Sequence, residues 1–287
     1  MRMRTIGTAT VSAIGLGAMP MSTEGRPDRE RSIATMHAAL DAGVTLIDTA
    51  DAYHQHAGEV GHNEELIAQA LSTWGGDTSS VLVATKGGHL RPGDGSWTVD
   101  GTPAHLKAAA KASAARLGVE AIGLYQLHRP DPEVPYEESL GAIRDLLDEG
   151  VIVQAGISNA NPEQIRQARE ILGGRLASVQ NQFSPGFRSS EPELDLCDRL
   201  GVAFLPWSPL GGIAKASRLG SAFAPFAEVA AAHGVSAQKV ALAWELAKSP
   251  VVIPIPGSSR PETIRDSVQA AELELSAAEL ALLDAAS

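Results

Sequence analysis

Short apolar runs alternate with amphipathic stretches along almost the whole chain. Residues 44–47, 81–86, 121–127, 151–157, 176–181, 202–207 and 251–255 read as strands. Several of them are apolar throughout rather than alternating, as parallel strands covered on both faces are. Between them, apolar positions recur at helical spacing, as Ile33, Met36, Ala39 and Leu40 do in a segment running from Asp28 to Gly43. Further helices are expected at 63–71, 102–117, 137–148, 161–172 and 192–200, at two stretches of 221–247 separated by Gly234, and at 261–271. Thr102-Pro103 and Asn161-Pro162 start their helices with a capping side chain and a proline in the first turn. Ser276 with Glu279 makes a capping box for a short terminal helix. A hairpin over 4–12, turning at Gly7-Thr8, and a glycine-rich strand at 14–19 come before the first helix.

Strand and helix thus alternate about eight times, the count of a (β/α)8 barrel; a doubly wound open sheet is the runner-up. No composition shift marks a linker, so residues 1–287 are expected to form one domain. Gly15 and Gly17 do not complete a dinucleotide fingerprint, because Pro20 stands at the third glycine place and Gly25 and Pro27 precede any helix.

Composition narrows the partners. Hydrophobic residues make up 44% of the 287 and charged residues 20%, enough for a sizeable core. The net charge of -11, from 23 basic and 34 acidic residues with the basic ones scattered, argues against nucleic acid or an anionic membrane as partner. The single cysteine, Cys197, excludes an internal disulfide and sits among helix positions as a small buried hydrophobe. No apolar run reaches membrane length and no signal peptide is evident, so a cytoplasmic location is expected. Self-association is left open.

The chemistry collects at strand ends. Asp48, Lys86, His128 and Ser158-Asn159 each follow an apolar strand directly, and in a barrel all would meet at the same C-terminal mouth. Tyr53 lies five residues beyond Asp48. A phenol ionises at about pH 10 in water, and a nearby ammonium favours the phenolate. Asp48 can hold Lys86 in place and charged. His128 can hydrogen-bond a substrate oxygen and fix geometry. Together the four would protonate a carbonyl oxygen while hydride reaches the carbon, and the reverse would oxidise an alcohol.

The segments Asp48-Thr49-Ala50-Asp51-Ala52-Tyr53, Gly61-His62-Asn63-Glu64, Thr85-Lys86, Leu127-His128, Gly156-Ile157-Ser158-Asn159, Gln180-Asn181-Gln182, Trp207-Ser208-Pro209-Leu210 and Ile255-Pro256-Gly257 resemble the aldo-keto reductase superfamily. The resemblance runs in order over nearly the full chain. It implies an NAD(P)H-dependent carbonyl reductase on a (β/α)8 barrel, with Tyr53 as proton donor, Lys86 and Asp48 as its tuning pair and His128 as the orienting group. It also implies that Ser158, Asn159 and Gln180 hold the nicotinamide carboxamide and that Trp207 stacks on the ring. Ser208, Pro209, Leu210 and Gly212 would follow the pyrophosphate, with Gly17, Ala18, Met19 and Ile255 beside the cofactor. Gly257, Ser258, Ser259, Arg260 and Thr263 would meet the adenosine phosphate; Arg260 favours NADP over NAD, with NAD remaining usable. The substrate pocket would be lined by Met19, Met21, His54, Trp97 and Arg129, with Trp97 either a lid or an exposed loop aromatic. Such a pocket suits small aldehydes or ketones with an apolar or aromatic body.

The chain departs from the family pattern in three places. Residues 54–60 lengthen the loop after Tyr53, Val153 stands where relatives often carry a basic residue, and Ser267 stands where they often carry asparagine. Two rival functions are a cofactor-bound sensor or scaffold, which an intact catalytic set disfavours, and a metal-dependent hydrolase. The second rests on His54-x-His56, a pair lying in a loop rather than on a strand; exposed loop histidines are the expected reading.

Overall fold

The hairpin forms where the pattern places it: β1 (Met3–Ile6) pairs antiparallel with β2 (Ala9–Ser12). Gly7 turns with φ +54, and a Cβ there would lie 1.9 Å from the Gln154 side-chain oxygen that accepts from Thr8 N. In this computed structural model, which describes residues 1–286, there follow β3 (Leu16–Gly17), α1 (Arg29–Asp41), β4 (Leu46–Asp48), α2 (His62–Thr73) and β5 (Leu82–Gly87). A small antiparallel ladder, β6 (His89–Leu90) with β7 (Thr98–Val99), then leads to α3 (Pro103–Leu117), β8 (Ile122–Leu127), α4 (Tyr136–Asp148) and β9 (Ile152–Ser158). The chain continues through α5 (Pro162–Ile171), β10 (Leu176–Gln180), α6 (Glu191–Leu200) and β11 (Ala203–Phe204). Four helices follow: α7 (Ile213–Ala216), α8 (Leu219–Ala222), α9 (Ala224–His233) and α10 (Ala237–Lys248). The last are α11 (Pro261–Val268) and α12 (Ala277–Asp284). The capping side chains of Thr102, Asn161 and Ser276 accept the expected backbone N–H groups.

Seven strands form one parallel sheet in the order β11-β10-β9-β8-β5-β4-β3. Residues 251–257 close it into a (β/α)8 barrel. On one side Phe204 N donates to Val251 O and Ile253 N to Phe204 O; on the other Gly15 N donates to Pro254 O and Gly17 N to Pro256 O. The expected strand at 251–255 is therefore present as pairing but not as a regular strand. Pro254 and Pro256 have no N–H to donate, so only alternate bonds of the ladder can form. The same happens at 202–207: only Ala203–Phe204 is regular, yet Leu205 N and Trp207 N still donate to Val179 O and Asn181 O. The expected helix at 261–271 ends at Val268 and finishes as a 3-10 turn, and loop 87–101 carries the β6–β7 ladder.

The hairpin plugs the N-terminal end of the barrel, where Ile6 and Val11 join the inward Leu46, Ala84, Leu124, Ala177, Ala203 and Ile253. A second apolar layer lies between strands and helices. There Trp244 of α10 stacks on Phe183 at 5.6 Å and meets Phe226 edge-on. Cys197 is buried, and burial pushes its thiol up to about 12. Among the described residues no helix is long and apolar enough to cross a membrane.

One residue contradicts the pattern of its helix. Glu245 of α10 is fully buried and neither carboxylate oxygen has a hydrogen-bond partner. Burial holds its carboxyl well above the ordinary glutamate value, so the folded state keeps the proton that the unfolded state releases near neutrality. Stability from this site is therefore present below the unfolded pKa and is lost as pH rises. Glu245→Leu is expected to raise stability by about 1–3 kcal/mol near neutrality, the cost of an unpaired buried polar group. The gain should be smaller at about pH 5 than at about pH 8. Urea unfolding at both pH values checks this; equal gains at the two would show that the carboxyl does not titrate as described.

Candidate active site

The parallel register brings the strand ends to one rim. Asp48 is the last residue of β4, Lys86 the penultimate residue of β5, Ser158 and Gln180 the last residues of β9 and β10, and His128 follows β8. Lys86 is completely buried and surrounded by acceptors. Its Nζ donates to Asp48 Oδ1 at 2.6 Å and to Thr49 O at 2.7 Å, and lies 3.1 Å from Tyr53 Oη. Gln180 Nε2 donates to Asp48 Oδ2 at 2.7 Å, so both carboxylate oxygens are engaged. Burial works against the Lys86 charge, but the Asp48 carboxylate beside it, with the hydrogen bonds to Asp48 and Tyr53, holds the ammonium above its ordinary value.

Burial also raises the Tyr53 phenol, and Lys86 opposes this without reversing it. The lowering pull expected of the lysine is present, but burial outweighs it, so the net shift of the phenol is upward and Tyr53 keeps its proton. His128 meets the Tyr53 ring edge-on at 5.7 Å. Its pKa is driven well down by burial, then by Lys86, His89 and Arg129, leaving a neutral imidazole with one N–H to donate. Asp51, in the same stretch as Asp48, turns elsewhere. Its carboxyl is pushed up to about 7 by burial and by Glu64, which is itself held by Thr85 and Arg116.

A cavity of about 600 Å³ opens above the four residues, within the range of small-molecule sites. Asp48, Tyr53 and His128 face it. It is lined by Ser158, Asn159, Gln180, Trp207, Ser208, Pro209, Leu210 and Gly212, and by Gly17, Met19, Ile255 and Gly257. Asn159 is held at φ +58 while its amide donates to His128 O and Ser158 Oγ, and Ser208 takes φ +51. Non-glycine residues adopt this region at a cost, and such strain gathers at sites that position ligands. Trp207 Nε1 is buried without a partner.

Several expected contacts fall elsewhere. Ala18 does not line the cavity; it is buried, donates to Asp48 O and accepts from Asn63. Ser258, Ser259, Arg260 and Thr263 lie beyond the cavity, past Gly257. The Ser258 hydroxyl is no free donor, since it already bonds Arg260 O and Thr263 Oγ1. Arg260 is exposed and pairs loosely with Glu262 at 3.7 Å. Arg31 of α1 reaches the same segment, donating to Ser259 O; nothing in the sequence links positions so far apart.

On the substrate side Met19, Trp97 and Arg129 line the cavity, but Met21 and His54 do not. Met21 is buried in the layer under α1 and α2. His54, expected to be exposed, is fully buried with Nδ1 on His56 O, because loop 54–60 folds back on itself. Glu59 accepts from the backbone of Gln55 and His56 and pairs with Arg26. Trp97 is a pocket wall: Arg91 stacks on its ring at 4.6 Å and His89 lies 5.2 Å away. His89 was not anticipated, although it too is a histidine just past a strand. It sits 4.4 Å from His128 and is pushed down to about 4 by burial, with Arg129 and Lys86 adding to the effect. Among the described residues no group of three or more His, Cys, Asp or Glu side chains could hold a metal ion.

A closed parallel barrel with an acid, an ammonium and an imidazole at its C-terminal mouth defines a barrel oxidoreductase site. A sequence model of the aldo/keto reductase family matches residues 13–287, and the chain belongs to that family of NAD(P)H-dependent carbonyl oxidoreductases. It is 35% identical to an uncharacterised oxidoreductase of Schizosaccharomyces pombe over 97% of this chain and 88% of that one. It is 32% identical to pyridoxine 4-dehydrogenase of Escherichia coli, covering 98% and 96%. A crystal structure of an aldo/keto reductase from Klebsiella pneumoniae in complex with NADP and acetate superposes with a TM-score of 0.80 at 29% identity, covering 98% and 93%.

The buried pair generates a stability prediction. Lys86→Met leaves Asp48 ionised or forces it to take a proton, and is expected to destabilise the fold by about 3–5 kcal/mol. The double variant Lys86→Met/Asp48→Asn should recover much of that loss. If urea unfolding shows the single variant within about 1 kcal/mol of wild type, the pair is not holding this end of the barrel together.

Proposed function

We propose that the protein reduces an aldehyde or ketone to an alcohol with hydride from NADPH and a proton from Tyr53, and catalyses the reverse oxidation. The observation that supports this most is the Lys86 ammonium lying between Asp48 and Tyr53 at the floor of a cavity whose wall carries amide and indole groups.

The residues of that wall fit a nicotinamide dinucleotide. Ser158, Asn159 and Gln180 would hold its carboxamide, and the Trp207 face would stack on its ring. Residues 208–212 would run beside the pyrophosphate, with Arg260 and Arg31 near the adenosine phosphate. The chemistry such a cofactor supplies when bound is hydride at the substrate carbon. The chain supplies the rest. His128 donates its N–H to the carbonyl oxygen and fixes its position. Tyr53 Oη transfers its proton to that oxygen, and the phenolate formed faces the Lys86 ammonium. Asp48 and Gln180 keep that ammonium in place, so little reorganisation accompanies the charge that develops.

Tyr53→Phe keeps the ring and loses the proton. Following NADPH absorbance with a panel of carbonyl compounds, we expect the rate to fall about 10²–10⁴-fold with folding intact. Turnover within a few-fold of wild type would remove Tyr53 from the role. For cofactor choice, a guanidinium–phosphate contact is charge-assisted and distinguishes NADPH from NADH. Arg260→Ala is expected to lower the NADPH-to-NADH ratio of kcat/KM about tenfold, the effect of one such hydrogen bond. An unchanged ratio would move the selection elsewhere.

A further inference from the structure

Arg129 follows His128 directly and lines the same cavity, yet among the described residues it has no hydrogen-bond or ionic partner. Among the described residues it is the one lysine or arginine of that lining. The other cations nearby are engaged. Lys86 is enclosed by Asp48, Thr49 and Tyr53, and Arg91 is held by Glu24 and by His54 O while it stacks on Trp97. The acids of the neighbouring segments have partners of their own. Asp131, two residues on, accepts Gly101 N with one oxygen and Glu133 N with the other. Asp100 accepts the backbone and hydroxyl of Thr102 through one oxygen and lies 3.7 Å from His105 with the other. His89, the neighbouring ring, is half-buried with Nδ1 lacking a partner.

We infer that Arg129 is an anion subsite and that the preferred substrates are carbonyl compounds bearing a carboxylate on an apolar or aromatic body. This deepens the reductase reading and rests on it. The pocket has the two halves such a molecule needs. Tyr53 and His128 take the reacting oxygen, while Met19, Trp97, Val99 and Ile213 border the body. The guanidinium fork next to His128 matches a planar carboxylate with two parallel N–H donors. His89 adds an imidazole beside it. A neutral substrate would leave that fork facing water and gain nothing from it.

The test uses 3- and 4-formylbenzoate beside their methyl esters, which keep the ring and aldehyde and lose the charge. For wild type, kcat/KM for at least one acid should exceed that of its ester about tenfold or more, the effect of one charge-assisted hydrogen bond. The ratio should shrink as salt is added, because the guanidinium is exposed. Arg129→Ala should bring the acid-to-ester ratio close to unity, Arg129→Lys should retain part of it, and Arg129→Glu should invert it. Calorimetric titration with benzoate and benzamide, with and without NADP, reads the same subsite without turnover. Aldehyde reduction with no acid preference, or a preference that survives Arg129→Ala, overturns the subsite and leaves the reductase reading intact. No reduction of any aldehyde, with benzoate binding that still depends on Arg129, overturns the reductase reading and leaves the subsite.

Discussion

A charge pair buried at the open end of the barrel is the constraint that the rest of the site answers to. Lys86 has no contact with solvent, and Asp48 has almost none. Such a pair is tolerated only when each group is fully enclosed by partners. That requirement fixes three neighbours, one on β10 and two in the loop after β4: Gln180 on the second carboxylate oxygen, Thr49 O on the ammonium, and Tyr53 as its remaining neighbour. The phenol is thereby placed without needing a hydrogen bond of its own to the backbone. It sits where burial keeps it protonated and where a cation waits for the charge it would leave behind.

Barrel closure serves the same end. The seventh and eighth positions of the sheet are weak as strands because of Pro206, Pro254 and Pro256, yet both sides of the gap are hydrogen-bonded. The irregular backbone lies next to Trp207, Ile255 and Gly257, all at the cavity. A strand whose N–H groups are missing at alternate positions can bend away from the regular ladder, and the wall it forms is correspondingly free to follow a ligand rather than a sheet. The opposite half of the barrel, from β4 to β10, is a continuous parallel ladder with one register shift, at Leu176–Ser178 of β10, below the rim that carries the charged groups.

The sequence made this half readable for a physical reason. An apolar run that stops at a polar residue marks both a strand and its end, which is how Asp48, Lys86, His128 and Ser158 could be grouped before any coordinates. Tyr53 came through its place in the polar stretch just past β4, and Trp207 only through the resemblance to the family. What stayed hidden depends on three-dimensional partners. His54 looks like a loop histidine until the fold-back of residues 55–59 buries it, and Ser258 looks like a donor until Thr263 and Arg260 occupy its hydroxyl. Glu245 sits in α10 with its carboxylate buried and without a partner, and no local pattern announces that. Residues 54–60, Val153 and Ser267 are the positions where the sequence is expected to depart from the family pattern. Val153 is exposed on β9 and Ser267 buried in α11, and nothing in the structure explains the choice of either.

The loop after Tyr53 ties the substrate side together. Arg91 reaches into three loops at once: it donates to His54 O in the loop after β4 and to Glu24 in the loop after β3, and it stacks on Trp97 in the β6–β7 ladder. Residues 54–60 bring His54 O to Arg91 and are themselves clamped by Glu59 and Arg26. The loop therefore braces the pocket wall through Arg91 and does not itself line the cavity. Trp97 gains a fixed position from an arginine whose charge is already balanced, and Arg129 is left, among the described residues, as the free charge of the mouth. A barrel can accept such a loop because its C-terminal loops contribute to the rim without contributing to the strands beneath.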